Sequence, residues 1–217
     1  MNGPRPSSMH PPLRRIAATA LAVPLFAVVA ACGASDPGFG TDPGRGSGSD
    51  LALLDERGPC PRQLPEPADD GGYGFGTDAA AEDSLALPEI DRAWVCRYDA
   101  VDQPARNQNG SFFLWERATR PAPVPSSELS RLVESVEALT PPAGDQACTA
   151  DLGPRYLLVL ATPEDRLVAA SVDDYGCREV RLTADPWGGA PGETPAAGVP
   201  EGVLVGGEDL LSLLPKR

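Results

Sequence analysis

Between Leu129 and Leu139 the apolar positions Leu129, Leu132, Val133, Val136 and Leu139 recur at helical spacing, one continuous stripe on an otherwise polar segment. Ser126-Ser127-Glu128 ahead of it reads as a helix start with a hydroxyl cap and an early acid, and Thr140-Pro141-Pro142 reads as its stop. Elsewhere the apolar pattern is that of strands. Ala93-Trp94-Val95-Cys96-Arg97-Tyr98 alternates, which places Trp94, Cys96 and Tyr98 on one face. A polar turn with Asn109-Gly110 leads to a second strand over residues 111–117. After Cys148 come three more, over residues 155–162, 166–172 and 177–182, separated by the turn residues Pro163-Glu164-Asp165 and Asp173-Asp174-Tyr175-Gly176. Residues 202–205 are a candidate edge strand and residues 208–214 a closing helical turn. This order predicts an α+β fold: an antiparallel sheet of about five strands, one amphipathic helix packed on one face, and a short C-terminal helix.

Other stretches lack either period. Residues 33–59 are dominated by Gly, Pro, Ser and Asp, too polar to bury a core, and read as a flexible tether, with residues 51–54 as a short docking turn in the alternative. Gly38-Phe39-Gly40-Thr41-Asp42 returns as Gly74-Phe75-Gly76-Thr77-Asp78, the second copy beside Asp69-Asp70-Gly71-Gly72. Those acids lack the spacing of a calcium loop, and the glycines lack the flanking strand and helix of a phosphate loop, so the segment reads as a mobile surface loop. Residues 183–201 form another Gly/Pro-rich loop, which carries Trp187.

At the N-terminus, Arg5, Arg14 and Arg15 precede sixteen residues, Ile16 to Ala31, interrupted only by Thr19 and Pro24. At ~1.5 Å per residue such a run spans roughly 24 Å, short of the ~30 Å hydrocarbon layer, which favours a secretory signal over a permanent span. It closes on Val29-Ala30-Ala31-Cys32, and this stretch resembles the lipobox of bacterial lipoproteins. The resemblance implies that signal peptidase II cuts before Cys32 and that the Cys32 thiol is acylated. It also implies a protein held on the outer face of the cell membrane, since two or more acyl chains anchor stably. An uncleaved helix or an ordinary Ala-x-Ala cut leaves the position of Cys32 unexplained. The domain organisation is thus a signal peptide over 1–31, a lipid-anchored tether over 32–59 and one domain over 60–217.

Cysteine usage agrees. Five cysteines are an odd count for an exported protein, and assigning Cys32 to lipid leaves Cys60, Cys96, Cys148 and Cys177 for two structural disulfides. Four cysteines allow three pairings. In a three-strand meander the first and third strands begin at the same end, which brings Cys148 to Cys177 and leaves Cys60 for Cys96. No two cysteines are spaced as C-x-x-C, so the pattern does not suggest a redox or metal-thiolate site.

Charge and composition narrow the chemistry. The first 31 residues hold three of the 18 basic residues and none of the 31 acids, so the mature chain carries 15 against 31, a net charge of −16. Such a surface repels nucleic acid. The single histidine, His10, lies in the signal, which removes Ser-His-Asp and Cys-His catalysis and nearly every zinc site from the mature chain. No cofactor motif is present.

Cys60-Pro61, Val95-Cys96-Arg97-Tyr98, Cys148, Leu152-Gly153-Pro154-Arg155-Tyr156 and Tyr175-Gly176-Cys177 together resemble a loose group of small exported actinobacterial lipoproteins. That resemblance implies no activity. Trp187 is the candidate binding surface, either as an exposed anchor or as a lid folded back over the sheet edge. The strand aromatics Trp94, Tyr98, Phe113 and Trp115 read as core, and the adjacent pairs Glu164/Asp165 and Asp173/Asp174 as ordinary turn residues. The expected function is a non-catalytic, membrane-anchored binding or accessory module of the cell envelope, facing an envelope protein or wall component. The alternatives are a carboxylate-based wall hydrolase, which requires a cleft between separated acids with at least one kept protonated, and a proteinase-inhibitor-like domain.

Overall fold

Strands β4 (Arg155–Ala161) and β5 (Leu167–Asp173) are buried at every position. Their sequences, RYLLVLA and LVAASVD, run apolar on both parities, and a strand of that kind is stable only where both faces of its sheet are covered. The computed structural model describes residues 51–68, 73–83, 85–103, 112–144, 147–149 and 151–214. The chain divides into Met1–Asp42 and Pro43–Arg217, and all of the first unit lies outside the described residues. So do the expected signal run, Cys32, residues 33–50 of the expected tether, and the expected Asn109-Gly110 turn. No helix among the described residues is long and apolar enough to cross a membrane.

The second unit is built on one antiparallel sheet. β1 (Arg92–Asp102) pairs with β4 on one side and, on the other, with β2 (Phe113–Arg117) and β3 (Ala122–Pro123) in succession along its length. Beyond β4 follow β5, β6 (Val180–Thr183) and β7 (Val203–Leu204). Among the described residues the sheet thus has seven strands rather than about five. β7 is the candidate edge strand expected over residues 202–205, and β3 is the one without an expected counterpart: it is two residues long, too short to show a period, and sits in a Pro-rich stretch at an edge where a missing donor is tolerated.

One face is covered by α1 (Ser126–Glu137) and α2 (Gly207–Leu213). Leu132, Val136, Leu139, Leu210 and Leu211 pack on Val95, Leu158, Leu160, Val168 and Leu182. The helical stripe therefore faces the core as its spacing predicts. The expected hydroxyl cap is not made: the N-cap is Pro125, whose carbonyl accepts from the Glu128 amide, and Ser126 already lies in the first turn. Fixed proline geometry replaces a side-chain acceptor at this end.

The opposite face is covered by irregular chain. Cys60, Leu64, Phe75 and Trp187 close over Cys96, Tyr98, Leu157, Val159 and Ala169. Residues 51–54 run beside the beginning of β5, with Ala52 donating to Ala184, Leu54 to Asp165, and the Leu167 amide to Ala52. That segment therefore belongs to the folded unit, the docking alternative rather than free tether.

The disulfides are Cys60–Cys96 and Cys148–Cys177, with Cα separations of 6.5 and 4.9 Å. The topological reason holds in a modified form. β6 begins at Val180, so Cys177 lies in the β5–β6 connection rather than opening the strand. Asp173 at the end of β5 registers with Arg155 at the start of β4, which brings that connection to the segment preceding β4.

Candidate functional site

Alternate residues of β4, β5 and β6 aim at the second face, and at one end of the sheet three of them are charged. Arg155, Asp173 and Arg181 are each about 5 % exposed or less. Asp173 sits directly across from Arg155 and diagonally from Arg181, so one carboxylate lies between two guanidiniums. Its Oδ1 accepts from Arg155 Nε at 2.6 Å and its Oδ2 from Arg181 Nη1 at 2.8 Å. Glu179 pairs with Arg181 Nη2. Buried charges persist only when paired and hydrogen-bonded in this way.

Aromatic rings complete the cluster. The Arg155 guanidinium lies 4.1 Å from the centroid of Trp115, and the Trp115 and Tyr175 rings are parallel to within 2° at 5.6 Å. Arg155 Nε also donates to the Tyr175 hydroxyl at 2.9 Å. Burial pushes that hydroxyl well above its ordinary pKa against the opposing pull of Arg155, so the phenol stays protonated.

The second Gly-Phe-Gly-Thr-Asp string is anchored on this cluster. Its carbonyls at Gly74, Phe75 and Thr77 accept from Trp115 Nε1, Arg155 Nη2 and Arg181 Nε. The mobile loop expected over residues 74–78 is instead pinned by three side-chain donors that its local composition does not reveal. Gly74 has φ +84°, and a Cβ there would fall 2.0 Å from the Phe113 carbonyl oxygen, so no other residue fits.

Between this string, the β5–β6 connection and residues Cys148, Thr149 and Asp151 lies a cleft of about 640 Å³. Asp173, Tyr175 and Arg181 form its floor, Phe75 to Asp78 one wall, and Cys148, Thr149 and Asp151 the other. Asp151 accepts from the Thr149 hydroxyl and from the Gly176 amide, and these bonds hold its carboxyl below the ordinary range. A second cavity of similar volume, between β3, α1 and the end of α2, is lined mainly by Val95, Pro123, Val124, Pro125, Leu132 and Leu213, with no buried charge among its lining residues.

No family model, curated protein or solved structure matches this chain.

Of the residues singled out from the sequence, the four disulfide cysteines are joined as described, and one pair lines the cleft. Cys32 lies outside the described residues. Trp187 is half-buried against the second core cluster, with the Arg57 guanidinium 4.5 Å from its ring centroid, so it folds back rather than standing out. Trp115 and Tyr98 are core. Asp173 is the residue that local reading misplaced. It occupies the last position of β5, not a turn, and is buried between two arginines. The available signal was parity: Ser171 and Asp173 continue one face of β5, and an acid on a buried face demands a cationic partner. Among the described residues no group of three or more His, Cys, Asp or Glu is arranged to hold a metal ion.

Proposed function

We propose that this chain is a membrane-anchored, extracytoplasmic lipoprotein whose domain is a non-catalytic binding module of the cell envelope, with the cleft beside Cys148–Cys177 as its ligand seat. The observation that carries the reading is a concave site of ligand size over a floor whose charges are already paired. Ligand seats are typically pre-formed concavities with a few fixed polar groups, and this floor is fixed by the sheet itself. Acid catalysis by carboxylates asks for the opposite arrangement, an acid kept neutral so that it can give up a proton. Both Asp173 oxygens are held by guanidiniums, Glu179 is paired with Arg181, and Asp151 is held ionised. That state favours recognition over wall hydrolysis.

The anchor rests on the lipobox at Cys32. Cys32→Ser is expected to abolish lipid attachment, so that the domain is released or its precursor accumulates, read by membrane fractionation and intact mass. Unchanged retention with unchanged mass would count against the anchor. For the seat, a photo-crosslinking side chain at exposed Thr149 or Asp78 is expected to give a discrete adduct with an envelope protein or glycan in intact cells. The same group at exposed Glu137 on α1 should give none. Equal adducts at all three positions, or none, would remove the cleft as the seat.

A further inference from the structure

The two disulfides occupy opposite environments. Cys60 and Cys96 are 1 % and 0 % exposed, inside the second core cluster. Cys148 is exposed, Cys177 is partly exposed, and both sulfur-bearing residues line the cleft. We propose that Cys148–Cys177 is a thiol–disulfide exchange site, reached by a dithiol-bearing protein or small dithiol on the outer face of the membrane.

Exchange requires a thiolate to reach one sulfur in line with the bond being broken, so access decides which disulfides react. Here access is open at Cys148. The described residues beside it lie at the surface: Thr149, Asp151 and Leu152 are all exposed, Leu152 to 47 %. Beside the disulfide, the Asp151 carboxylate accepts from the Gly176 amide at 3.3 Å and the Asp174 amide donates to the Pro154 carbonyl at 2.9 Å, both between the segments that the disulfide joins. The β5–β6 connection carries a non-glycine residue at positive φ next to the bridge, Arg178 at +58°. A bond that joins two surface segments can open without unpacking the sheet, whereas opening Cys60–Cys96 requires exposing the core.

The electron and proton balance is simple. A thiolate of the dithiol attacks Cys148 Sγ, forms a mixed disulfide, and expels Cys177 as a thiolate that takes up a proton. The second thiol of the reagent, losing its own proton, then attacks the reagent sulfur of the mixed disulfide and expels Cys148, which is protonated in turn. The dithiol is oxidised by two electrons to a disulfide, and the protein gains two thiols. The reverse sequence closes the bridge.

The consequence falls on the cleft, and this part rests on the proposal that the cleft is a seat. Reduction releases the wall that carries Thr149 and Asp151, while the floor of Arg155, Asp173 and Arg181 is kept by the strand ladder and by Cys60–Cys96. Ligand adducts formed from Thr149 would then be lost on reduction.

The test of the exchange site needs no ligand. Full-length, detergent-solubilised protein is treated under native conditions with graded dithiothreitol, alkylated, and mapped by mass spectrometry, with Cys32 read separately. Cys148 and Cys177 are expected to be labelled on the order of tenfold faster than Cys60 and Cys96, with the near-ultraviolet circular dichroism of the Trp115–Tyr175 pair retained. Labelling of all four cysteines together, or no labelling of Cys148 and Cys177 until that signal collapses, would overturn the proposal. Failure of the crosslinking experiment with selective labelling intact would remove the seat and leave the exchange site standing.

Discussion

Asp173→Ala is expected to destabilise the domain by about 3–5 kcal/mol, the cost of leaving buried charge without its partner. The side chain is buried, and its two oxygens are the shared acceptors of Arg155 and Arg181. After the substitution Arg181 retains Glu179 and the Thr77 carbonyl, but Arg155 keeps only the Tyr175 hydroxyl, the Phe75 carbonyl and the Trp115 face. Neither guanidinium can shed its proton to escape the penalty. For a domain of this size the loss corresponds to a Tm lower by about 6–20 °C. Urea unfolding followed by tryptophan fluorescence checks it, with a shifted midpoint and an unchanged slope as the expected result. A loss below about 1 kcal/mol would show that the ion cluster is hydrated and that the cleft floor is not the fixed platform described above. Asp173→Asn keeps the shape and one acceptor oxygen but removes the charge, and should fall between wild type and alanine.

The second large effect separates the disulfides. Loop closure over sequence separations of 36 and 29 residues stabilises by nearly the same amount, about 3.5–4 kcal/mol in the chain-entropy model. Any difference between Cys60→Ala/Cys96→Ala and Cys148→Ala/Cys177→Ala therefore reports packing. The first pair lies in the core beside Tyr98, whose hydroxyl donates to the Pro61 carbonyl at 2.7 Å, and Arg117 donates to the Cys60 carbonyl. Removing those sulfurs adds a buried void to the entropic loss, and buried side-chain truncations of this kind typically cost a further ~1–2 kcal/mol. The second pair is at the surface, where no void forms. The Cys60/Cys96 variant should unfold at the lower temperature in a thermal scan of the two proteins at equal concentration. Equal midpoints, or the reverse order, would contradict the assignment of the first disulfide as the core staple.

Much of the fold was legible because its signals are local. The α1 stripe, the alternation from Ala93 to Tyr98 and the turn around Asp165 each occupy a few consecutive residues and appear where they were expected, while the turn around Gly176 begins one residue later and runs on to Val180. The disulfide pairing was legible for a related reason: a short antiparallel meander leaves little freedom about which ends meet. What escaped depends on partners distant along the chain. The Gly74–Thr77 carbonyls are held by donors at positions 115, 155 and 181, and their glycine-rich composition says only that the backbone can take unusual angles. Coverage of the second face escaped because irregular chain buries itself without a period, although the unbroken apolar runs of β4 and β5 implied a cover of some kind. The N-cap at Pro125 displaced a plausible serine cap because entry into α1 follows directly from β3.

Residue order alone determined the α+β class, the stripe that faces the sheet, the pairing of four cysteines and the absence of any histidine after His10. Those follow from periodicity, short-range turn chemistry and composition. Only the tertiary structure decided that Asp173 is a buried counter-ion rather than a turn residue, that Trp187 folds inward, and that one disulfide is sealed while the other stands open on a cleft. Burial and charge pairing are properties of neighbours in space, and in this sheet the decisive neighbours of Asp173 lie 18 and 8 residues away along the chain.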